Sequence, residues 1–177
     1  MNTPLIVIGP QVEWPSAFAS EAARIREALG DLDHEIHHIG STSIKGVFAK
    51  PIIDMLLLVE DLHELDARSQ RLERAGYEAK GEYGIPQRRY FRLHSPQGAR
   101  THHLHSFIRA SEGAVRHLAF RDYMNQHPKA ARAYSNLKRE LAAKYPNDSN
   151  SYIAGKDAFV KQHELLALAW RSAEHGA

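Results

Sequence analysis

The run Pro51–Val59, PIIDMLLLV, constrains the fold more than any other stretch of this chain. It is short, apolar and β-branched near its start, which reads as a strand buried in a sheet. Proline is tolerated at the first residue of a strand. One acid interrupts the run. Side chains alternate along a strand, so Asp54 shares a face with Ile52, Leu56 and Leu58, while Ile53, Met55, Leu57 and Val59 take the other. A carboxylate among such neighbours has to be paired, hydrogen-bonded, metal-bound or protonated.

The segment before the strand is Gly40-Ser41-Thr42-Ser43. A sharp turn there points backbone N–H groups and hydroxyls at one spot, which suits an anion, and Lys45 or Lys50 would add charge. The plainer alternative is a Gly-Ser turn and an Asp satisfied by backbone or by an arginine. A Gly-Ser pair followed, after twelve intervening residues, by a strand Asp resembles the entry motif of the nucleotidyltransferase superfamily. That resemblance implies a turn that holds a triphosphate and strand acids that hold Mg²⁺. The superfamily pattern is acid, apolar, acid. Here the strand reads Asp54-Met55-Leu56, so Leu56 stands where the second carboxylate is expected. Two-metal phosphoryl transfer needs clustered oxygen ligands, which this strand does not supply alone.

A second constellation is THHLHSF, Thr101–Phe107. His103 and His105 lie two apart on a strand and project to one face. His102, Leu104, Ser106 and Ile108 take the other. Paired imidazoles suit Zn, Ni, Fe or Mn better than Mg. Beside the Asp54 strand, Asp54, His103 and His105 would make a set of two imidazoles and one carboxylate for a divalent metal. A neutral imidazole equally serves as general base. The alternative is a pair of hydrogen-bonded sheet residues in a chain with 12 histidines. His34 and His37 read as surface features; His38, next to Ile39-Gly40, is the one placed to look into the site.

The remaining pattern is α+β. Leu5–Ile8 and His34–Ile39 read as strands, as do Arg88–Leu93 and Thr101–Arg109, joined through the hairpin SPQGAR. A helix follows Trp14, with Pro15 in its first turn and Gly30 as its stop. Another carries Leu62, Leu65, Leu72 and Ala75 and ends at Gly76. After Ser111 only helices are predicted, near Glu112–Gln126, Pro128–Tyr145 and Ser149–Ala173. The expectation is one domain over residues 1–177, with a mixed sheet in about 1–110 and a helical layer in about 111–177. With 23 basic and 21 acidic residues, the charge is too even to argue for nucleic acid. The chain has no cysteine, which rules out disulfides and thiolate metal sites and fits the cytoplasm. MNTPLIVIGP lacks a basic region and its apolar run is too short for a signal peptide. No run approaches the roughly 18 apolar residues of a membrane span.

Two lysines fall on apolar stripes. Tyr134, Leu137 and Leu141 set the buried stripe of one helix, and Lys138 lies on it. Tyr152, Phe159, Val160, His163, Ala167 and Trp170 set that of the last helix, and Lys156 lies within it. Such lysines either snorkel to water or, each with a tyrosine one turn earlier, aim cations into a shared pocket. Arg88, Arg89, Arg92 and Arg121 are further candidates for a phosphate, or partners for acids such as Asp122 and Glu140.

EWPSAF, HIGSTSIKG, AKPIIDMLLLV, RRYFR, THHLH, HLAFRDYMNQHP, AYSNLKRELA and SYIAGK occur in order over nearly the whole chain. Together they resemble the GrpB (glutamate-rich protein B) family. The resemblance implies a nucleotidyltransferase-like mixed sheet with flanking helices and a C-terminal helical layer. It implies that an apolar residue at the position of Leu56 is a family trait, and that similar domains occur fused to dephospho-CoA kinase. Carried over by position, it marks His38, Gly40, Ser41, Lys50, Asp54, His103, His105, Arg121, Tyr134, Lys138, Tyr152 and Lys156 as site residues. The expected ligand is a small phosphorylated molecule or nucleotide, with a divalent metal such as Mg, Mn, Zn or Ni as cofactor. Three functions fit: metal-dependent nucleotidyl or phosphoryl transfer to a small acceptor, a non-catalytic anion-binding module, and a metal-dependent hydrolase.

Overall fold

The computed structural model describes residues 4–175, the side chain of His175 excepted. Its elements run α1 (Trp14–Leu29), β1 (His34–Ile39), β2 (Ile53–Val59), α2 (Leu62–Arg74), β3 (Tyr77–Ala79), β4 (Arg89–His94), β5 (Arg100–Ile108), α3 (Glu112–Gln126), α4 (Pro128–Lys144) and α5 (Ser149–His175). A short 3-10 turn, Ser41–Ser43, stands between β1 and β2. The strands make one mixed sheet in the order β1-β2-β5-β4-β3. β2 and β5 are parallel, and the other neighbouring pairs are antiparallel. This is the expected α+β class.

The described residues form two compact units. The sheet unit is Val12–Gly40 and Ile52–Val115, and so holds α1, α2 and all the strands. The helical unit is the described residues up to Gln11, Ser41–Pro51 and those from Arg116 on. The serine turn therefore groups with the helices rather than with the strands that flank it in sequence. Among the described residues no helix is long and apolar enough to cross a membrane.

In the sheet unit, β2 is central and buried on both faces: Met55, Leu56 and Leu57 are 0% exposed. That explains its near-continuous apolar sequence. α1 places Ala22, Ile25 and Leu29 in the core, and Gly30, at φ +63°, closes it by donating its N–H to the carbonyl of Arg26. Phe18 of α1 stacks on His38 at 4.9 Å, and His38 pairs with Met55. α1 thus covers the Met55 face of the sheet, and His38 lies on the face opposite Asp54 instead of looking towards it.

β4 and β5 are each displaced by one residue from the expected Arg88–Leu93 and Thr101–Arg109, and three further strand readings differ in substance. Leu5–Ile8 is no strand: only Ile8 pairs, in an isolated bridge to Ala49. Gly9-Pro10 cut it short, and Pro10 has no N–H to extend a ladder. β2 starts at Ile53 instead of Pro51, because its partner β1 ends at Ile39, opposite Asp54. β3 was not expected at all. At three residues it is too short to show alternation, and it pairs only with β4.

In the helical unit, the segment Ser41–Pro51 is fastened to α3 and α4. Ile44 and Val47 are buried with Met124, Ala131 and Tyr134. The Lys45 N–H donates to Asn125 Oδ1 at 3.0 Å, and Asn125 Nδ2 donates to the carbonyls of Ser43 and Arg121. The Phe48 N–H donates to Ser135 Oγ at 3.0 Å. Asn125→Ala removes three of these bonds. It is expected to cost about 1–3 kcal/mol in chemical denaturation, and to raise amide exchange first in residues 43–48. Unchanged exchange there would show that Asn125 does not fasten the turn.

Candidate functional site

The parallel register of β2 and β5 sets Asp54 opposite His103 and Leu56 opposite His105. Opposed residues share a face, so Asp54 and both imidazoles meet on one side of the sheet. His103 Nδ1 lies 3.0 Å from Asp54 Oδ1, and His105 Nε2 lies 3.8 Å from the same oxygen. One ligand atom from each residue falls within 4.8 Å of the others. The side chains are partly shielded, at 29% exposure for Asp54 and 16% for each histidine. Burial raises the Asp54 pKa, but the hydrogen bond with His103 and the nearby His105 imidazole outweigh it and hold the carboxyl well below the usual carboxylate range. Asp54 is therefore an anion with two nitrogen donors beside it.

These residues fit a divalent cation. Nitrogen and oxygen donors converge within the span of one coordination sphere, and imidazole is a donor for Zn, Ni, Fe or Mn. His103 Nε2 is buried without a hydrogen-bond partner. A cation held by the set would replace the Asp54–His103 hydrogen bond with shared coordination.

Gly40 completes this corner from β1. Its φ is +68°, a region side chains rarely adopt, and a Cβ there would stand 2.5 Å from Asp54 Oδ2. The glycine thus leaves space for the carboxylate. β4 adds residues whose faces the stretch RRYFR does not reveal. Tyr90 is paired with His105, and Arg92 with His103. The Tyr90 ring centroid lies 5.0 Å from that of His105 and 5.6 Å from that of His103. The Arg92 guanidinium sits over Tyr83 at 4.6 Å and over Tyr90 at 5.3 Å. Burial pushes the Tyr90 phenol up, against the opposing pull of Arg92. Arg88 donates to the carbonyls of Glu82 and Tyr83 while its guanidinium lies over the Tyr90 ring at 4.8 Å, and Arg89 is engaged elsewhere, in a bidentate pair with Asp66.

The other expected site residues lie in the helical unit. Lys138 is buried at 1% exposure, with its Nζ 4.7 Å from the Tyr134 ring. Lys50 and Lys156 each place Nζ 5.0 Å from the centroid of one ring, that of Tyr152, which is itself 1% exposed. Each ammonium is drawn to the ring face, so Tyr152 is a contact shared by the two lysines. Burial first, then the nearby Tyr134, pushes the Tyr152 phenol well above its usual range. Arg121 donates through Nε to Asp122 at 2.7 Å, so its charge is met partly on its own helix. In the turn Ser41–Ser43, Thr42 is buried, and the next two N–H groups serve structure: Ile44 donates to the Ser41 carbonyl and Lys45 to Asn125.

The fold is nucleotidyltransferase-like. Cid1 poly(U) polymerase, solved with MgGTP bound, matches it with a TM-score of 0.54 at 16% identity, covering 78% of this chain and 44% of that one. The family model for GrpB protein matches residues 4–165, and the chain belongs to the GrpB family. The crystal structure of GrpB from Enterococcus faecalis has a TM-score of 0.88 at 40% identity, over 94% of this chain and 99% of that one. The UPF0157 protein YqkA of Bacillus subtilis is 41% identical over 93% of this chain, which spans only 48% of that relative's length. A dephospho-CoA kinase of Mycolicibacterium paratuberculosis is 25% identical over 96% of this chain and 47% of its own.

Gly40→Ala is expected to destabilise by about 1–3 kcal/mol. The cost should shrink in an Asp54→Ala background, where the facing carboxylate is gone. A double-mutant cycle in denaturant reads this; equal costs in both backgrounds would show that Gly40 serves only its own backbone.

Proposed function

We propose that this chain binds a small phosphorylated ligand, such as a nucleotide, and uses a divalent cation held by Asp54, His103 and His105 for nucleotidyl or related phosphoryl transfer to a small acceptor. The observation that carries this is the convergence of one carboxylate and two imidazoles within 4.8 Å. The nucleotidyltransferase-like fold and the GrpB family membership support it. When bound, the cation would draw charge from a phosphoryl oxygen. Leu56, 0% exposed, supplies no second acid. His105, its partner across the ladder, brings a nitrogen donor to that level of the strand. The donor set is thereby less anionic than a pair of carboxylates, which shifts preference from Mg towards Mn, Zn or Ni.

Taken by itself, the helical unit offers Lys50, Lys138 and Lys156 as the residues proposed to bind a phosphate group, with Tyr134 and Tyr152 holding their ammonium groups in place. Ser41, Thr42, Ser43 and Gly40 are proposed to contribute hydroxyl and backbone contacts, and Arg121 a further charge. The proposed setting is the cytoplasm.

One observation favours a second function, an anion-binding module without chemistry. Leu56 leaves Asp54 as the lone carboxylate of the triad, and similar sequence lies within a dephospho-CoA kinase.

Thermal unfolding separates the two. Mn²⁺ or Zn²⁺ with a nucleoside triphosphate is expected to raise Tm more than either alone, since a ligand at 100 times its Kd adds about 2.7 kcal/mol. Asp54→Ala and His103→Ala should abolish the metal-dependent shift, and Lys138→Met the nucleotide-dependent one. A nucleotide shift that survives Asp54→Asn, with no metal shift in the parent protein, would leave the binding module and remove the transferase.

A further inference from the structure

A cleft of about 400 Å³ opens in the helical unit between α4 and the segment that follows the serine turn. Lys45, Arg132 and Arg139 line it, with Phe48 and Met124 among the apolar wall, and no acidic residue takes part. It shares no residue with the Asp54 triad or with the Lys50, Lys138 and Lys156 cluster. Among the described residues, Lys45, Arg132 and Arg139 make no ion pair. Arg24, Arg68, Arg89, Arg109 and Arg116 do. Unpaired like charges around one concavity repel one another, and a bound anion relieves that repulsion.

We propose that this cleft is a second anion site, built for a ligand with two or more adjacent phosphate groups. Three features select that chemistry over a single carboxylate or an apolar ligand. Arg132 and Arg139 are seven residues apart, on one face of α4. Their Cα atoms are therefore about 10 Å apart, a separation a chain of linked phosphates can bridge and a lone carboxylate cannot. The Arg139 guanidinium is laid over the Phe48 ring at 4.8 Å, which pre-orients it and lowers the entropy lost on binding. Between the two arginines, Ser135 Oγ accepts the Phe48 N–H, which leaves its own O–H to donate, and Asn136 lines the same wall. Guanidinium forks and hydroxyl donors match phosphate oxygens. Lys45 brings the third cation from the loop, whose backbone N–H is already held by Asn125.

Isothermal titration of the full chain with sodium tripolyphosphate, ATP and orthophosphate, in EDTA to exclude metal-mediated binding, tests this. Tripolyphosphate should bind, and orthophosphate at least about tenfold more weakly because it engages one cation at a time. The double variant R132A/R139A changes two exposed residues, so its fold should persist, which circular dichroism checks. It should lose about tenfold or more in tripolyphosphate affinity, while Lys161→Ala, which changes an exposed lysine outside the cleft, retains this binding. Amide shifts at Lys45 and Asn136 should follow the titration. Equal affinity for ATP and tripolyphosphate would assign recognition to the phosphates alone, and tighter ATP binding would assign it to a nucleotide. No binding of tripolyphosphate at millimolar concentration, or equal binding by the parent protein and R132A/R139A, would overturn the proposal. Loss of binding in Lys156→Ala but not in R132A/R139A would also overturn it, by moving the anion to the lysine–tyrosine cluster.

Discussion

The parallel ladder between β2 and β5 is the constraint on which the candidate metal centre depends. Its register places Asp54 against His103 and Leu56 against His105. A one-residue slip would set Asp54 against His102 or Leu104 and turn the imidazole pair to the other face. Such a slip is costly, because β2 is apolar on both sides and β5 is not. Leu104 at 0% exposure and Phe107 at 3% fix which β5 residues go inward on each face. The packing that stabilises the sheet and the geometry that gathers the donors are therefore the same fact seen twice. Gly40 follows from it: once Asp54 is fixed, the turn after β1 has space for no side chain.

Electrostatics gives that corner its character. A shielded carboxylate ordinarily resists ionisation, yet the hydrogen bond with His103 and the His105 imidazole beside it keep Asp54 charged. One negative charge with nitrogen donors is a weaker trap for hard, oxygen-seeking cations than two carboxylates are. The helical unit shows the opposite sign. There Lys50, Lys138 and Lys156 are held against tyrosine rings, and Lys138 has almost no exposed surface. Taking an ammonium out of water this far is expensive unless it is compensated.

Much of this is legible in the sequence, for reasons that can be named. The period-two pattern of His103 and His105 and the lone acid in PIIDMLLLV give their faces directly, because strand alternation is strict. The helical period likewise places Lys138 on the buried side of α4. What periodicity does not carry is which strands are neighbours. Tyr90 and Arg92 join the Asp54 corner only because β4 pairs with β5, and nothing within RRYFR says so. The serine turn is a case of local signal without its context. Its residues suggest free N–H donors, yet Asn125, about eighty positions away, occupies the one on Lys45. Leu5–Ile8 shows the same limit from the other side. It has strand composition, but only Ile8 pairs as a strand residue would, in an isolated bridge, while the Leu5 N–H donates to the Pro146 carbonyl.

Anomalous diffraction at the metal edge, from crystals grown with Mn²⁺ or Zn²⁺, addresses the centre most directly. The expected result is one peak about 2.0–2.2 Å from an Asp54 oxygen and a ring nitrogen of each of His103 and His105. A clean map at millimolar metal, with the 3.0 Å contact between Asp54 and His103 intact, would contradict it and leave those residues as a hydrogen-bonded pair beside a second histidine.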